Sequence, residues 1–387
     1  MALSEAGTLQ DRFTSARLVL DTTVPRRRRV GRTYQGFIKA LLNLSDSLLL
    51  QVQDRLRDCI RAVSGSHWTR FGWVIIAADG SKIDCVRTAA NEEAFGIGGR
   101  KKSGPQQLLT TLWHMGTGLP WAWICGRADE SERDHLRRML SLLPAACLVV
   151  ADAGFTGFHL LHQLQKEGMF FLIRVGANVT LLRNLGYAVQ QRGDLVYLWP
   201  LDCRKYKPLV LRLIQVVSPG GKRPVFLLTN VLDEERLPGD VAAAIYRMRW
   251  GIEVFYRSLK QTLQRRKMRS AAPRQATLEL HWTLIGLLLL GLVSTSAIIK
   301  RGKDPLSWSV ACALQVVRQA MRQPPKTLTT LLRKLGSAIK DSYQRDSDKK
   351  ARNWPHKKTE SPPGQPKIRT ATPDEVRKAQ ELMEIQA

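Results

Sequence analysis

The chain is short of acids. It carries 33 aspartates and glutamates against 60 lysines and arginines, a net charge of +27 over 387 residues. Such an excess attracts polyanions, with nucleic acid first and an anionic membrane surface second. The six cysteines are scattered, and no C-x-x-C pair occurs among them. That spacing argues against a zinc site, and their apolar settings suit reduced core thiols. The glycine-rich stretch FGIGGRKKSG (95–104) lacks the G-x-G-x-x-G spacing of a dinucleotide fingerprint. The start, MALSEAGTLQDRF, lacks the basic-then-apolar order of a signal peptide, so a cytoplasmic setting is expected. An uninterrupted apolar run is also missing. TLIGLLLLGLVSTSAII (283–299) is broken by Thr283, Ser294, Thr295 and Ser296, whereas a membrane span needs ~20 mostly apolar residues. It reads as a buried core helix, with no membrane as partner. No internal repeat is present.

With 44% hydrophobic residues the chain can bury a large core. Residues 1–70 show helical spacing, with Ser45 or Asp46 as candidate caps for a second helix and a basic cluster, VPRRRRVGR (24–32), between the helices. That cluster is either a solvated linker or a phosphate contact. The texture then alternates. WVIIAAD (73–79) reads as a strand ending in an acid, SKIDCVRT (81–88) as the next strand, and 95–104 as a basic loop. LLTTLWHM and LPWAWICG form a hairpin across Gly116-Thr117-Gly118, and 130–143 a helix. CLVVAD (147–152) is again a strand ending in an acid, and a helix at GFHLLHQLQKEG leads to the strand MFFLIRV (169–175). Residues 176–230 are rich in strand signals, with a turn at Pro219-Gly220-Gly221. Helical patterns cover 239–269 and 275–339. A charged, mobile tail is expected over 341–387, with a short helix at 373–385.

Three carboxylates stand out. Asp79 and Asp152 each close an apolar, β-branched run, which predicts two strand ends brought together on an α/β sheet, where ligand sites form. An acid at a buried strand end needs an offset. A helix N-cap or a backbone N–H supplies one, and a shared cation supplies another. Asp84, although near Asp79, alternates away from it along the strand.

The third acid lies in YRMRWGIEVFYRSLK (246–260), where Glu253 sits among Arg247, Arg249, Arg257 and Lys260. On one continuous helix, offsets of 3, 7 and 14 from Tyr246 fall at about −60°, −20° and −40°. Tyr246, Arg249, Glu253 and Lys260 would then share a narrow stripe. Arg249 and Glu253 also form an ordinary i,i+4 pair, but that pair leaves Tyr246 and Lys260 unexplained. Three carboxylates suit two Mg²⁺ ions, which prefer oxygen ligands. Two such ions ~4 Å apart can serve both oxygens of an in-line phosphoryl displacement.

Asp79-Gly80-Ser81, Asp152-Ala153-Gly154-Phe155 and Tyr246-x-x-Arg249-x-x-x-Glu253-x-x-x-x-x-x-Lys260 resemble the three blocks of bacterial insertion-sequence DDE transposases. The last block is similar to the Tyr-Arg-Glu-Lys signature of one group. Leu227-Leu228-Thr229-Asn230, Met268-Arg269-Ser270 and Glu279 to Trp282 resemble that group too, and the likeness covers about 70–300. It implies an α/β, ribonuclease-H-like core with a β-rich insertion between the second Asp and the catalytic Glu, flanked by helical N- and C-terminal regions. The segments would be 1–70 (helical, DNA-end recognition), 71–175 (first part of the core), 176–238 (insertion), 239–269 (signature helix), 270–340 (helical) and 341–387 (basic tail). About 100 residues separate Asp152 from Glu253, room for that insertion. The resemblance further implies that Asp79, Asp152 and Glu253 carry two Mg²⁺ ions, with Mn²⁺ as a substitute. Tyr246, Arg249 and Lys260 would contact phosphates at the ends of the element. Phe226, then Trp199, is the candidate to stack a flipped base, although each also reads as a core aromatic. The implied activity is cutting at terminal inverted repeats and joining of 3′-hydroxyls to target DNA by a homodimer at the nucleoid. A nuclease of this fold that never joins, and a non-catalytic DNA-binding protein, are the alternatives.

Overall fold

The structure is a computed structural model and describes residues 1–25, 31–97, 104–187, 193–217, 224–323, 327–341 and 364–384. The arginines at 26–29, most of the basic loop at 95–104, the turn at Pro219-Gly220-Gly221 and residues 342–363 of the tail lie outside these. The chain divides into two units, Met1–Leu142 with Trp250–Lys340 and Leu143–Arg249 with Asp341–Ala387.

In the first unit, α1 (Leu9–Thr23) is capped by Thr8, whose side chain accepts from the Asp11 N–H. α2 (Tyr34–Ser64) is capped in the same way by Thr33. The helix start expected at Ser45 or Asp46 does not exist. No Gly or Pro interrupts 37–64, and Ser45 is buried within the helix, its Oγ 3.3 Å from Trp282 Nε1.

The two strands expected at 73–79 and 81–88 are one, β1 (Ile75–Asp84). Asp79 therefore lies in mid-strand. The pairing explains why: β2 (Gln106–His114) matches β1 without a gap, with Asp79 opposite Thr111 and Gly80 opposite Thr110. α3 (Ala89–Phe95) lies between them in sequence. β2 and β3 (Leu119–Arg127) form the expected hairpin, and α4 (Glu132–Arg138) packs on β1 and β2.

In the second unit, β4 (Leu148–Ala151) and β5 (Phe170–Val175) are parallel and joined through α5 (Phe158–Lys166). The strand-rich stretch gives β6 (Thr180–Arg183), β7 (Leu195–Leu198), β8 (Leu209–Val216) and β9 (Val225–Thr229). These pair antiparallel in sequence order, and β9 also pairs with β5, so they extend the sheet of this unit. Asn230 fixes the end of β9. Its amide donates to the Met169 carbonyl (3.0 Å) and accepts from the Phe171 N–H (2.9 Å). α6 (Gly239–Met248) packs on β8.

The helical pattern from 239 to 269 is not one helix. α6 stops at Met248, α7 spans Trp250–Arg257, and Ser258–Thr262 is a wider π-turn. The Arg249 N–H bonds to the Tyr246 carbonyl three residues back (3.2 Å), which tightens the last turn of α6. A stripe computed at about 100° per residue therefore does not carry through the signature. Tyr246 and Arg249 belong to the second unit, Glu253 and Lys260 to the first.

The apolar run at 283–299 lies in α8 (Pro273–Ile299), which is long and apolar enough to cross a membrane by length and composition. Here Leu284, Ile285, Leu287, Leu288 and Leu292 are buried. The helix packs on α2, β3, α9 (Val310–Arg322) and α10 (Leu328–Leu335), as an all-round apolar core helix should. Each such leucine contributes about 1.5–3 kcal/mol on leaving water. The expected tail helix is α11 (Pro373–Glu384), and before it β10 (Lys367–Thr370) adds a parallel edge to β6.

Candidate active site

The first unit carries Asp79, Glu253 and Lys260. Asp79 is half-buried on β1, and its Oδ1 accepts the Gly80 N–H at 2.9 Å. α7 is pinned against this strand by Tyr256, which is buried. Its hydroxyl donates to the Asp79 carbonyl at 2.7 Å and lies 3.3 Å from the Leu109 carbonyl. Burial first, and then the charges of Asp79 and Glu132, push the Tyr256 phenol well up, so it stays neutral and keeps its proton to donate. Glu253 is one turn before Tyr256 on α7 and half-buried.

Lys260 comes from the π-turn. Its ammonium donates to Ser81 Oγ at 2.7 Å. Burial holds its pKa below the usual lysine range, opposed by Asp84 and more weakly by Asp79. A Cβ at Gly80 would meet the Glu132 carboxylate at the start of α4, which would have to turn aside. Past the signature, Glu279 Oε2 on α8 accepts the backbone N–H groups of Arg269 (2.8 Å) and Ser270 (3.0 Å) and the Ser270 hydroxyl (3.0 Å). This fixes the chain that leaves the π-turn.

The second unit carries Asp152, Tyr246 and Arg249. β4 is buried throughout and delivers Asp152 at its end, half-buried. Asp152 Oδ1 accepts the Gly154 N–H at 2.8 Å and so caps the short turn Ala153–Phe155. Phe155 is fully buried and anchors that turn, and the Thr156 hydroxyl ties the following residue to the Arg174 carbonyl at 3.2 Å.

Tyr246 lies near the end of α6. Burial raises its phenol pKa, Arg249 and Arg174 pull it down, and Asp152 raises it. Asp152, Arg174, Tyr246 and Arg249 thus share one electrostatic neighbourhood. The Arg249 guanidinium lies over the Tyr246 ring, 5.6 Å from its centroid. A tyrosine hydroxyl and two guanidiniums beside a carboxylate can grip a phosphate while the acid faces a cation.

The two aromatic candidates are core residues in this structure. Trp199 is 2% exposed. Its indole N–H donates to the Tyr206 carbonyl (2.7 Å), and Arg204 covers its ring at 4.2 Å. A cavity of about 470 Å³ reaches Trp199 and is also lined by Thr156, Arg204 and Arg369. Phe226 is 9% exposed on β9, between Val175 of β5 and Gln215 of β8. Both rings are largely packed away from solvent.

Arg174, Tyr256 and Glu132 were not singled out from the sequence, and Ser81 was named only as part of the first block. An arginine inside the apolar strand FFLIRV was the available signal for Arg174. Tyr256 and Glu132, and the Lys260 bond that Ser81 accepts, depend on contacts between segments far apart in the chain.

Asp79 and Glu253 in the first unit and Asp152 in the second offer only oxygen donors, and each is half-buried. Oxygen donors of this kind suit a hard divalent cation. A model of the transposase DDE domain family matches residues 71–289, which include all three acids and the whole signature.

The chain belongs to the transposase DDE domain family. It is 29% identical over 293 residues to "Transposase InsG for insertion sequence element IS4" of Escherichia coli (strain K12), a match covering 70% of this chain and 64% of that protein. Among solved structures, a piggyBac transposase synaptic complex with hairpin DNA aligns at 13% identity. It covers 71% of this chain and 59% of that one, with a TM-score of 0.41. The Mos1 transposase paired-end complex aligns at 12% identity over 43% and 60%, with a TM-score of 0.19.

Proposed function

We propose that this chain is a DNA transposase that cuts the ends of an insertion sequence and joins the freed 3′-hydroxyls to target DNA. The observation that carries the reading is the family match over 71–289, which takes in Asp79, Asp152 and Glu253 together with Tyr246, Arg249 and Lys260 in order. The core is read as ribonuclease-H-like, with 176–238 as its β-rich insertion. Asp79, Asp152 and Glu253 are the ligands for two Mg²⁺ ions, with Mn²⁺ as a substitute. When bound, such a pair activates the attacking oxygen and stabilises the leaving one.

The chain's own residues do the rest. Tyr246, with Arg249 and Arg174 beside it, holds a phosphate next to Asp152. Lys260, now donating to Ser81, exchanges that neutral acceptor for a phosphate oxygen when DNA arrives. Trp199 or Phe226 would have to leave its packed position to stack a flipped base. The +27 charge supplies long-range attraction for element ends and target. Pairing two ends implies a homodimer acting on nucleoid DNA in the cytoplasm.

The test is to incubate the purified chain with linear DNA bearing its element ends, a target plasmid and Mg²⁺. Joined products are expected. Cuts without joining would make the chain a nuclease, and neither product a DNA-binding protein. Asp152→Ala should abolish cutting while end binding survives, and a variant that still cuts refutes the carboxylate assignment.

A further inference from the structure

A different set of side chains meets within the second unit. His159 lies in the first turn of α5, and Asp202 and Cys203 lie in the short turn Leu201–Cys203 between β7 and β8. One ligand atom from each of the three lies within 4.8 Å of the other two. Among the described residues no other trio of His, Cys, Asp or Glu reaches that spacing. We propose that His159, Asp202 and Cys203 bind a zinc-class divalent ion, with water as the fourth ligand.

The geometry favours it. Cys203 Sγ is 3.6 Å from His159 Nε2. With Zn–S near ~2.3 Å and Zn–N near ~2.05 Å, a tetrahedral site places sulfur and nitrogen about 3.6 Å apart. The pair already stands at that edge length. Asp202 is exposed, with a carboxylate oxygen within 4.8 Å of both, while Cys203 is 1% exposed and fixes the inner end.

The frame around the pair is built. The Cys203 N–H bonds to the Pro200 carbonyl (3.0 Å), and the Cys203 carbonyl accepts the Tyr206 N–H (3.0 Å). The Tyr206 ring meets the His159 imidazole edge to face at 5.7 Å, and Phe158 flanks it at 5.8 Å. Thiolate, imidazole and one carboxylate select zinc over magnesium, so this ion is chemically distinct from those of the carboxylate site. Its place also differs: it would tie α5, six residues beyond Asp152, to the turn after Trp199 and clamp the second unit. The competing account is a plain S–H···N hydrogen bond of the same length.

Cobalt separates the two accounts. The full chain is stripped with a chelator and titrated with Co²⁺. One equivalent should give near-ultraviolet thiolate-to-cobalt absorption, which Zn²⁺ displaces and excess Mg²⁺ leaves intact. Zn²⁺ should also raise the thermal midpoint. Cys203→Ser, and separately His159→Gln at an exposed position, should lose the absorption and weaken Zn²⁺ binding by at least about tenfold. Asp152→Ala should keep both. Absence of thiolate absorption overturns the proposal, as does absorption that persists in Cys203→Ser, or unchanged Zn²⁺ affinity in His159→Gln. If Cys203→Ser fails to fold, His159→Gln still decides.

Discussion

Lys260 donates a 2.7 Å hydrogen bond to Ser81, two residues beyond Asp79 on the same strand. The last residue of the signature is thus held beside the first acid by a neutral acceptor, easily exchanged for a phosphate. Lys260→Ala should weaken binding to element ends and lower the slope of log K against log salt by about 0.9, one phosphate contact. Ser81→Ala should leave that slope unchanged. Binding isotherms at four salt concentrations check both, and an unaltered slope in Lys260→Ala removes Lys260 from the DNA contact.

Gly251 faces Trp113 of β2, and a Cβ there would overlap the indole. The glycine that looks like a defect in the signature helix is what lets α7 lie on the strand pair carrying Asp79. Gly251→Ala should destabilise the first unit by about 1–3 kcal/mol, the usual range for overpacking. In a Trp113→Phe background the same change should cost less, because the two sites share one contact. Thermal melts of the four chains measure the coupling, and strict additivity would show that the contact does not matter.

How much of this could be read beforehand depended on range. Asp152 at the end of β4, the hairpin at Gly116-Thr117-Gly118 and the core character of α8 follow from runs of a few residues, where apolar pattern and turn chemistry agree. Asp79 stands out, but its strand reads as ending there, because Asp-Gly is a turn signal and only pairing with β2 carries the strand through. The signature failed differently. Residue order was legible, yet the helix is not continuous: it breaks at Arg249 and widens before Leu263, where Gly251 meets Trp113 and Lys260 reaches Ser81, partners far away in the sequence. The trio at His159, Asp202 and Cys203 was invisible, because 44 residues separate the histidine from the cysteine.

Acid should weaken the fold through His114. This ring is fully buried, with Nε2 bonded to the Trp68 carbonyl (3.1 Å) and Nδ1 facing the Thr117 hydroxyl (2.8 Å) and N–H (3.3 Å). A carbonyl only accepts, so Nε2 carries the hydrogen and Nδ1 accepts. Burial lowers its pKa from 6.5 to about 4. The unfolded chain therefore binds the proton first. Stability is full above pH ~6.5 and falls as pH drops towards ~4, by about 3 kcal/mol from this ring. His114→Gln should flatten that part of the stability–pH curve. Denaturant melts between pH 4 and 7 measure it, and an unchanged slope would mean that other groups set the acid limb.

Glu375 holds the tail. From the first turn of α11 it pairs with Arg204 and takes two bonds from Arg369 of β10, at 2.6 and 2.8 Å. It also accepts the Thr372 N–H at 2.9 Å. The Arg369 bonds, with this backbone bond and Arg204, hold its carboxyl at about 2. A depressed acid contributes stability that is complete above ~4.5, its unfolded value, and lost as pH falls through ~2. Docking of residues 364–384 should therefore survive mild acid and yield to salt, which screens partly exposed pairs. Glu375→Gln removes the charge and keeps the shape. It should speed proteolysis between Arg369 and Glu384 several-fold at pH 7 and leave the Arg204 stack on Trp199 in place. Equal cleavage rates in the two chains would mean that the β10–β6 pairing, rather than the carboxylate, anchors this segment.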